Sequence, residues 1–261
     1  MFGPLKRKKV LRNQNREYKV RNYRDFTTDR DLISFKLSIG ESDLLIKANR
    51  NLITVSKDLL VRFRHEIISY MLRNTFFKNS LKPVKEDEKA PEIIHKMMKV
   101  GELCNVGPMA AVAGAIAESV GSELLKYSPE VIIENGGDIF VKSRSIRKVS
   151  IFAGNSPLSQ KVFLNIDARE NSLGICTSSG TVGPSLSFGK ADAVTILSQS
   201  TALADAAATA IGNIVQRKED IDSGLKYAKN INGVLGAVII KDDRIGFWGN
   251  IEFGIIENNC I

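Results

Sequence analysis

Ile175-Cys176-Thr177-Ser178-Ser179-Gly180-Thr181-Val182-Gly183 opens a 38-residue stretch that closes on Ala204-Asp205-Ala206-Ala207-Ala208-Thr209-Ala210-Ile211-Gly212. The first half reads as an apolar strand running into a Thr/Ser/Gly loop. Hydroxyls and bare backbone N–H groups in such a loop can cradle an anion. The second half reads as an Ala-rich helix on which Asp205 and Thr209 stand four residues apart, on one face and about one turn apart. A carboxylate and a hydroxyl so placed suit a hard cation such as Mg²⁺ beside a phosphate. An alternative stays open for Asp205: it sits in the first helical turn, capped by Thr201 or a neighbour, where the positive helix end favours a carboxylate. That alternative leaves Thr209 unexplained.

Working outward, the flanking segments alternate between strand and helix patterns without a βαβ repeat. Leu32–Ile39 and Asp43–Ala48 read as a hairpin across Gly40-Glu41-Ser42. Lys57–Phe77 has helical spacing, with Ser56 as its cap. The polar stretch 80–90 reads as an internal linker, followed by a short helix after Pro91. A helix of small residues runs from Gly107 to about Lys126, slim enough at Ala110, Ala111, Gly114 and Ala115 for close approach by a backbone or ligand. Strands are expected at Val131–Glu134, Ile139–Lys142, Val149–Ala153, Val162–Ile166 and Ala193–Leu197. Helices are expected at Thr201–Val215 and near Ile221–Lys229. A last hairpin, Gly233–Ile240 with Arg244–Trp248, turns at Asp242-Asp243. The class is α+β, with mixed or antiparallel sheets flanked by helices.

Composition narrows the function. The chain has 261 residues, 43% hydrophobic and 25% charged, and a formal net charge of +8. Residues 1–30 carry ten Lys/Arg against Glu17, Asp25 and Asp29, leaving 27 basic and 26 acidic residues in 31–261. The basic arm, residues 1–30, is therefore separate from a nearly neutral body, 31–261, whose length suits one large domain or two small lobes, and a nucleic-acid-binding surface is not implied for the body. A role for the arm on RNA or an acidic partner stands as the alternative to a solvated tail. No apolar run approaches the roughly 20 residues of a bilayer span. The basic N-terminus lacks the apolar core of an export signal, which points to the cytoplasm. Cys104, Cys176 and Cys260 have no metal-type spacing and fit a reducing compartment.

Glu134-Asn135-Gly136-Gly137-Asp138 offers two readings. Paired glycines admit a ligand to the backbone with Asp138 at its polar edge, or they make an ordinary tight turn. Cys176, next to the hydroxyl loop, is a small buried residue or a reactive thiol. His65 and His95 are the only histidines, and neither lies near these motifs. Neither a P-loop nor a spaced-glycine dinucleotide turn is present.

Taken in order, Gly107-Pro108-Met109-Ala110-Ala111, Gly136-Gly137-Asp138-Ile139, Thr177-Ser178-Ser179-Gly180, Val194-Thr195-Ile196 and Ala204-Asp205-Ala206-Ala207-Ala208-Thr209-Ala210 resemble the ApbE-like superfamily. Its best-known members are FAD:protein FMN transferases. The finer resemblance, from about residue 20 onward, is to a smaller family within it. The resemblance implies a two-lobed α+β fold with a ligand cleft between lobes. It implies Mg²⁺ held by Asp205 and Thr209 with a backbone carbonyl near the start of the Gly107 helix. It also implies FAD lined by Gly136, Gly137, Asp138, Thr177, Ser178, Ser179 and Gly180. Transferases of the superfamily carry a His-(x-x)-Asp-Pro segment after the Thr-Ser-Gly loop. Here 183–190 reads Gly-Pro-Ser-Leu-Ser-Phe-Gly-Lys, without histidine. Lys190, Asp192 and Cys176 are the remaining candidates for an acid, base or nucleophile. A small-molecule nucleotide is the expected partner, with neither nucleic acid nor membrane; a homo-oligomer is compatible with the sequence. The archaeal association of the smaller family gives a second reading, sulfur assimilation into homocysteine through Cys176 or Cys104.

Overall fold

Strands whose side chains alternate between two apolar cores, with helices packed on one of them, build this molecule in layers. The computed structural model describes residues 31–181 and 188–255. The strands, in chain order, are β1 (Ile33–Ile39), β2 (Ser42–Ala48), β3 (Val131–Asn135), β4 (Asp138–Lys142), β5 (Arg147–Ser150), β6 (Val162–Ile166), β7 (Leu173–Ser178), β8 (Ala193–Ser198), β9 (Val234–Lys241), β10 (Arg244–Gly249) and β11 (Glu252–Ile255). The helices are α1 (Ile53–Arg73), α2 (Thr75–Asn79), α3 (Glu92–Cys104), α4 (Val112–Leu124), α5 (Thr201–Ile214) and α6 (Ile221–Asn230). A large sheet runs β1-β2-β3-β4-β7-β8-β9-β10 and a small one β11-β6-β5. Every pairing among the described strands is antiparallel, so the class is α+β as expected.

The large sheet has a core on each face. Ile133, Phe140, Cys176, Val194, Ile196 and Ile239 pack under the helices. Their neighbours Ile132, Val141, Ile175, Ala193, Val238 and Ile240 pack toward the small sheet. Burial on both faces explains why β8 is apolar along nearly its whole length. α5 lies closest to the sheet. A methyl added at Gly174 of β7 would fall 2.4 Å from the Thr201 Cα, so a glycine is what lets the helix start sit there. No single helix among the described residues is long and apolar enough to cross a bilayer.

Several expectations shift. Ser56 is no cap: it is buried inside α1, which begins at Ile53, where Asn51 Oδ1 accepts the Ile53 N–H. The helix expected to reach Phe77 stops at Arg73, and the Asn74 side chain caps a separate α2 by accepting from Phe77 N. A 3-10 turn over Pro108–Ala111 precedes α4. The helix after Pro91 is 13 residues long rather than short. The strand expected at Val149–Ala153 begins at Arg147, whose charge hid it. That guanidinium is buried and bonds Asp31 at 2.7 Å and Glu130 at 3.1 Å. β11, short and glycine-containing, has no sequence signal; it closes the small sheet against β6. The basic arm and Cys260 lie outside the described residues.

Because Gly174 abuts backbone rather than a yielding side chain, Gly174→Ala is expected to destabilise the fold by about 1–3 kcal/mol. A lowered urea midpoint with unchanged slope will show it.

Candidate functional site

Helix α5 is the spine of the site. Ser200 caps it, its Oγ accepting the Leu203 N–H at 3.3 Å. Ten of its 14 residues are buried, while Asp205 and Thr209 are half-buried among them. The two residues picked out by spacing thus share the partly open face of an otherwise buried helix. Asp205 does not act in the first turn of its own helix; it is the fifth residue of α5, and its Oδ2 accepts the Gly114 N–H of α4 at 2.8 Å. Burial pushes its carboxyl up to about 7, against the downward pull of the Gly114 and Ala113 N–H groups. No described lysine or arginine enters that balance.

The glycine turn meets the same region. Gly136 (φ 72°) and Gly137 (φ 110°) form a two-residue hairpin turn between the paired Asn135 and Asp138, so the tight-turn reading holds. The turn also reaches β7, where Thr177 N–H donates to Gly137 O at 3.3 Å. Asp138 is buried and stands opposite Cys176 in the β4–β7 register. Alternation then splits the hydroxyls. Ser178 lies beside α5, since a methyl on Gly212 would sit 3.7 Å from its Oγ. Thr177 faces the other way and bonds Thr195 Oγ1 at 2.9 Å on the small-sheet side. Ser179 and Gly180 follow the strand end, with Gly180 N–H donating to Ala191 O at 2.9 Å. The structure therefore gathers Asp205, Thr209, Ser178, Asp138 and the Gly136-Gly137 turn on the helix side and takes the Thr177 side chain away from them.

The family model described as "AbpE bacteria" matches residues 24–243. This chain belongs to that family. The UPF0280 protein of Methanocaldococcus jannaschii is 38% identical over 222 residues, 83% of this chain and 90% of that protein. The UPF0280 protein of Methanococcus vannielii is 40% identical over 227 residues, 85% and 92% of the two chains. Among solved structures, the flavin transferase ApbE of Vibrio cholerae superposes with a TM-score of 0.55 at 11% identity, covering 83% of this chain and 96% of that one. The apo flavinyl transferase ApbE of Pseudomonas stutzeri gives 0.57 at 14%, covering 83% and 94%. At these identities the likeness establishes the ApbE-like fold.

Within this AbpE-family chain, two of the three candidate catalytic side chains, Asp192 and Cys176, are engaged elsewhere, and the third, Lys190, is exposed. Asp192 is buried, its carboxylate accepting Thr181 Oγ1–H at 3.2 Å and Asp242 N–H at 2.6 Å, with Lys241 Nζ at 3.6 Å. It ties the β9–β10 turn to the hydroxyl loop. Lys190 is exposed, and its backbone N–H is tied to Val215 O at 2.8 Å. Cys176 is fully buried, its thiol donating to Thr201 O at 3.3 Å. Burial first, then the Asp138 and Asp205 charges, push that thiol well up. Cys104 is also buried, and burial with Asp205 nearby pushes it up to about 12. Both thiols stay protonated, so the structure lends thiol chemistry no support. Of the 182–190 stretch, only Phe188, Gly189 and Lys190 are described. His95 bonds Glu86 at 3.3 Å and His65 bonds Ser69 at 3.3 Å, both in the α1–α3 region.

A hollow of 520 Å³ lined by Asp167, Arg169, Glu170, Asn171, Leu173 and Gln199 lies at the opposite end of β7 from Ser178. The Asp167–Arg169 ion pair, at 2.7 Å, lies on its wall, and none of the gathered residues lines it. The candidate residues gather at the α5 face, away from this hollow. What sequence reading missed is the holder of Asp205, the Ala113-Gly114 backbone; the slimness of that helix was visible, but not what it admits. At pH 8 in the folded protein, the Cys104 and Cys176 peptides are expected to resist iodoacetamide, and to label fully after unfolding. Peptide mass spectrometry reads the two states.

Proposed function

We propose that this protein binds a flavin dinucleotide of the FAD type together with Mg²⁺ on the open face of α5. One observation carries the reading: Asp205 is a half-buried carboxylate on the partly open face of α5, with only neutral backbone donors around it and no described cation beside it. An ionised carboxylate in such a place is costly until a positive charge joins it. The donor set fits the cation, since the Asp205 carboxylate and Thr209 hydroxyl are hard oxygen ligands, and Mg²⁺ commonly takes one or two carboxylates plus substrate phosphates. When bound, the cation would offset the charge of a pyrophosphate. Ser178, Ser179, Gly180 and the Gly136-Gly137 turn would hold the nucleotide by hydroxyl and backbone N–H groups. Family membership and the fold shared with flavin transferases support the choice of ligand. Transfer of FMN is not part of this reading, because neither histidine stands near Asp205 in sequence and Asp192 is already engaged.

Calorimetry of the purified chain with FAD, with and without Mg²⁺, tests the reading. Binding is expected to require Mg²⁺ and to vanish in Asp205→Ala. FAD binding indifferent to both would remove the cation site. The pH dependence follows in sign. The cation needs the ionised carboxylate, and the Asp205 carboxyl sits at about 7. Affinity is therefore expected to be flat above pH 8 and to fall about tenfold per unit below 7.

A further inference from the structure

Helix α4 begins without a cap of its own. Its cap position is Ala111, which has no side chain able to accept, and no acidic residue stands in its first turn. The donors that an ordinary capping side chain satisfies are the N–H groups of the second and third helical residues, here Ala113 and Gly114. Of these, the Gly114 N–H donates to Asp205 Oδ2 at 2.8 Å, and the neighbouring Ala113 N–H adds to the pull on the same carboxylate. One helical turn further along α4, Glu118 does the converse. Its Oε2 accepts Ala202 N–H at 3.0 Å and Ser200 Oγ–H at 2.9 Å, at the start of α5. Contact this close needs a bare helix surface. A methyl at Gly114 would fall 2.5 Å from Thr201 O and 2.8 Å from Asp205 Cβ.

We infer that α4 and α5 cap each other, Asp205 serving as the N-terminal cap of α4 and Glu118 helping to cap α5, with Gly114 the residue that admits the exchange. The two carboxylates are not equivalent. Lys96 Nζ lies 2.8 Å from Glu118 Oε1 and neutralises it, whereas no described cation balances Asp205. Glu118 is a closed structural contact. Asp205 is a positioning group for α4 that still has a charge to share, which is why the cation reading proposed above, on which this last point rests, falls on it and not on Glu118. The capping role itself needs no metal.

Amide hydrogen exchange resolved to Ala113, Gly114 and Ala202, in EDTA and without nucleotide, tests it. In Asp205→Ala the Ala113 and Gly114 amides are expected to lose about five- to tenfold of their protection, with Ala202 unchanged. In Glu118→Ala the loss is expected at Ala202. Asp205→Asn keeps an acceptor oxygen and is expected to keep the Ala113 and Gly114 protection in EDTA, and, with Mg²⁺ and FAD in place of EDTA, to lack the response that the wild type shows. Should Asp205→Ala fail to fold, the comparison of wild type with Asp205→Asn decides, and unprotected Ala113 and Gly114 amides in the wild type would overturn the cap. So would equal protection in Asp205→Ala and wild type. A wild type with protected amides and no response to Mg²⁺ would sink the cation reading and leave the cap standing.

Discussion

Everything at the α5 face depends on one hydrogen-bonded carboxylate, Asp205 against the backbone start of α4. The contact joins two helices whose partners are 91 residues apart in the chain, and both helices must present bare surface for it to form. Gly114 supplies it on the α4 side, where a methyl would fall 2.5 Å from Thr201 O and 2.8 Å from Asp205 Cβ. That glycine thus serves geometry rather than helix propensity. With the helices that close, the carboxylate is partly withdrawn from water, and its hold on the proton rises accordingly. A position built in this way is stable in either of two conditions, protonated or joined to a positive charge.

The sheet decides which side chains share that face. Strand alternation sends Cys176 and Ser178 toward the helices and Thr177 toward the small sheet, and no loop flexibility is involved because Thr177 and Ser178 are part of β7. The two-residue turn at Gly136-Gly137 brings Asp138 into register with Cys176, so a backbone conformation that only glycine adopts cheaply sets the floor of the site. Asp192, on β8's leading edge, then fixes the neighbouring turn at Asp242 and leaves Asp205 as the one gathered carboxylate with an open face.

How much of this was legible follows from the range of each interaction. The β1–β2 and β9–β10 hairpins, helices α5 and α6 and the placing of Asp205 and Thr209 on one face are local patterns, and each is where the residues put it. The ordered motifs of the ApbE-like resemblance led to the family that the comparison then showed. The partner of Asp205 was not legible, because a backbone N–H carries no side-chain signal. The engagement of Asp192 was hidden for a similar reason, its partner at Asp242 being 50 residues away. The start of β5 at Arg147 was masked by a charge that only the fold pairs, and β11 depends on β6 for its existence. The hydroxyl run from Thr177 was read as a loop because its residue types favour loops, while cross-strand pairing with Thr195 and Val194 made its first two residues strand.

The most direct measurement is a titration of the isotope-labelled chain with Mn²⁺, a paramagnetic stand-in for Mg²⁺, in the presence of FAD. Broadening centred on Asp205, Thr209 and Gly114, displaced by excess Mg²⁺, is the result expected for an unbalanced carboxylate that takes its cation from solution. Broadening centred elsewhere, such as the exposed Asp242-Asp243 turn, with the α5 resonances untouched, would contradict it.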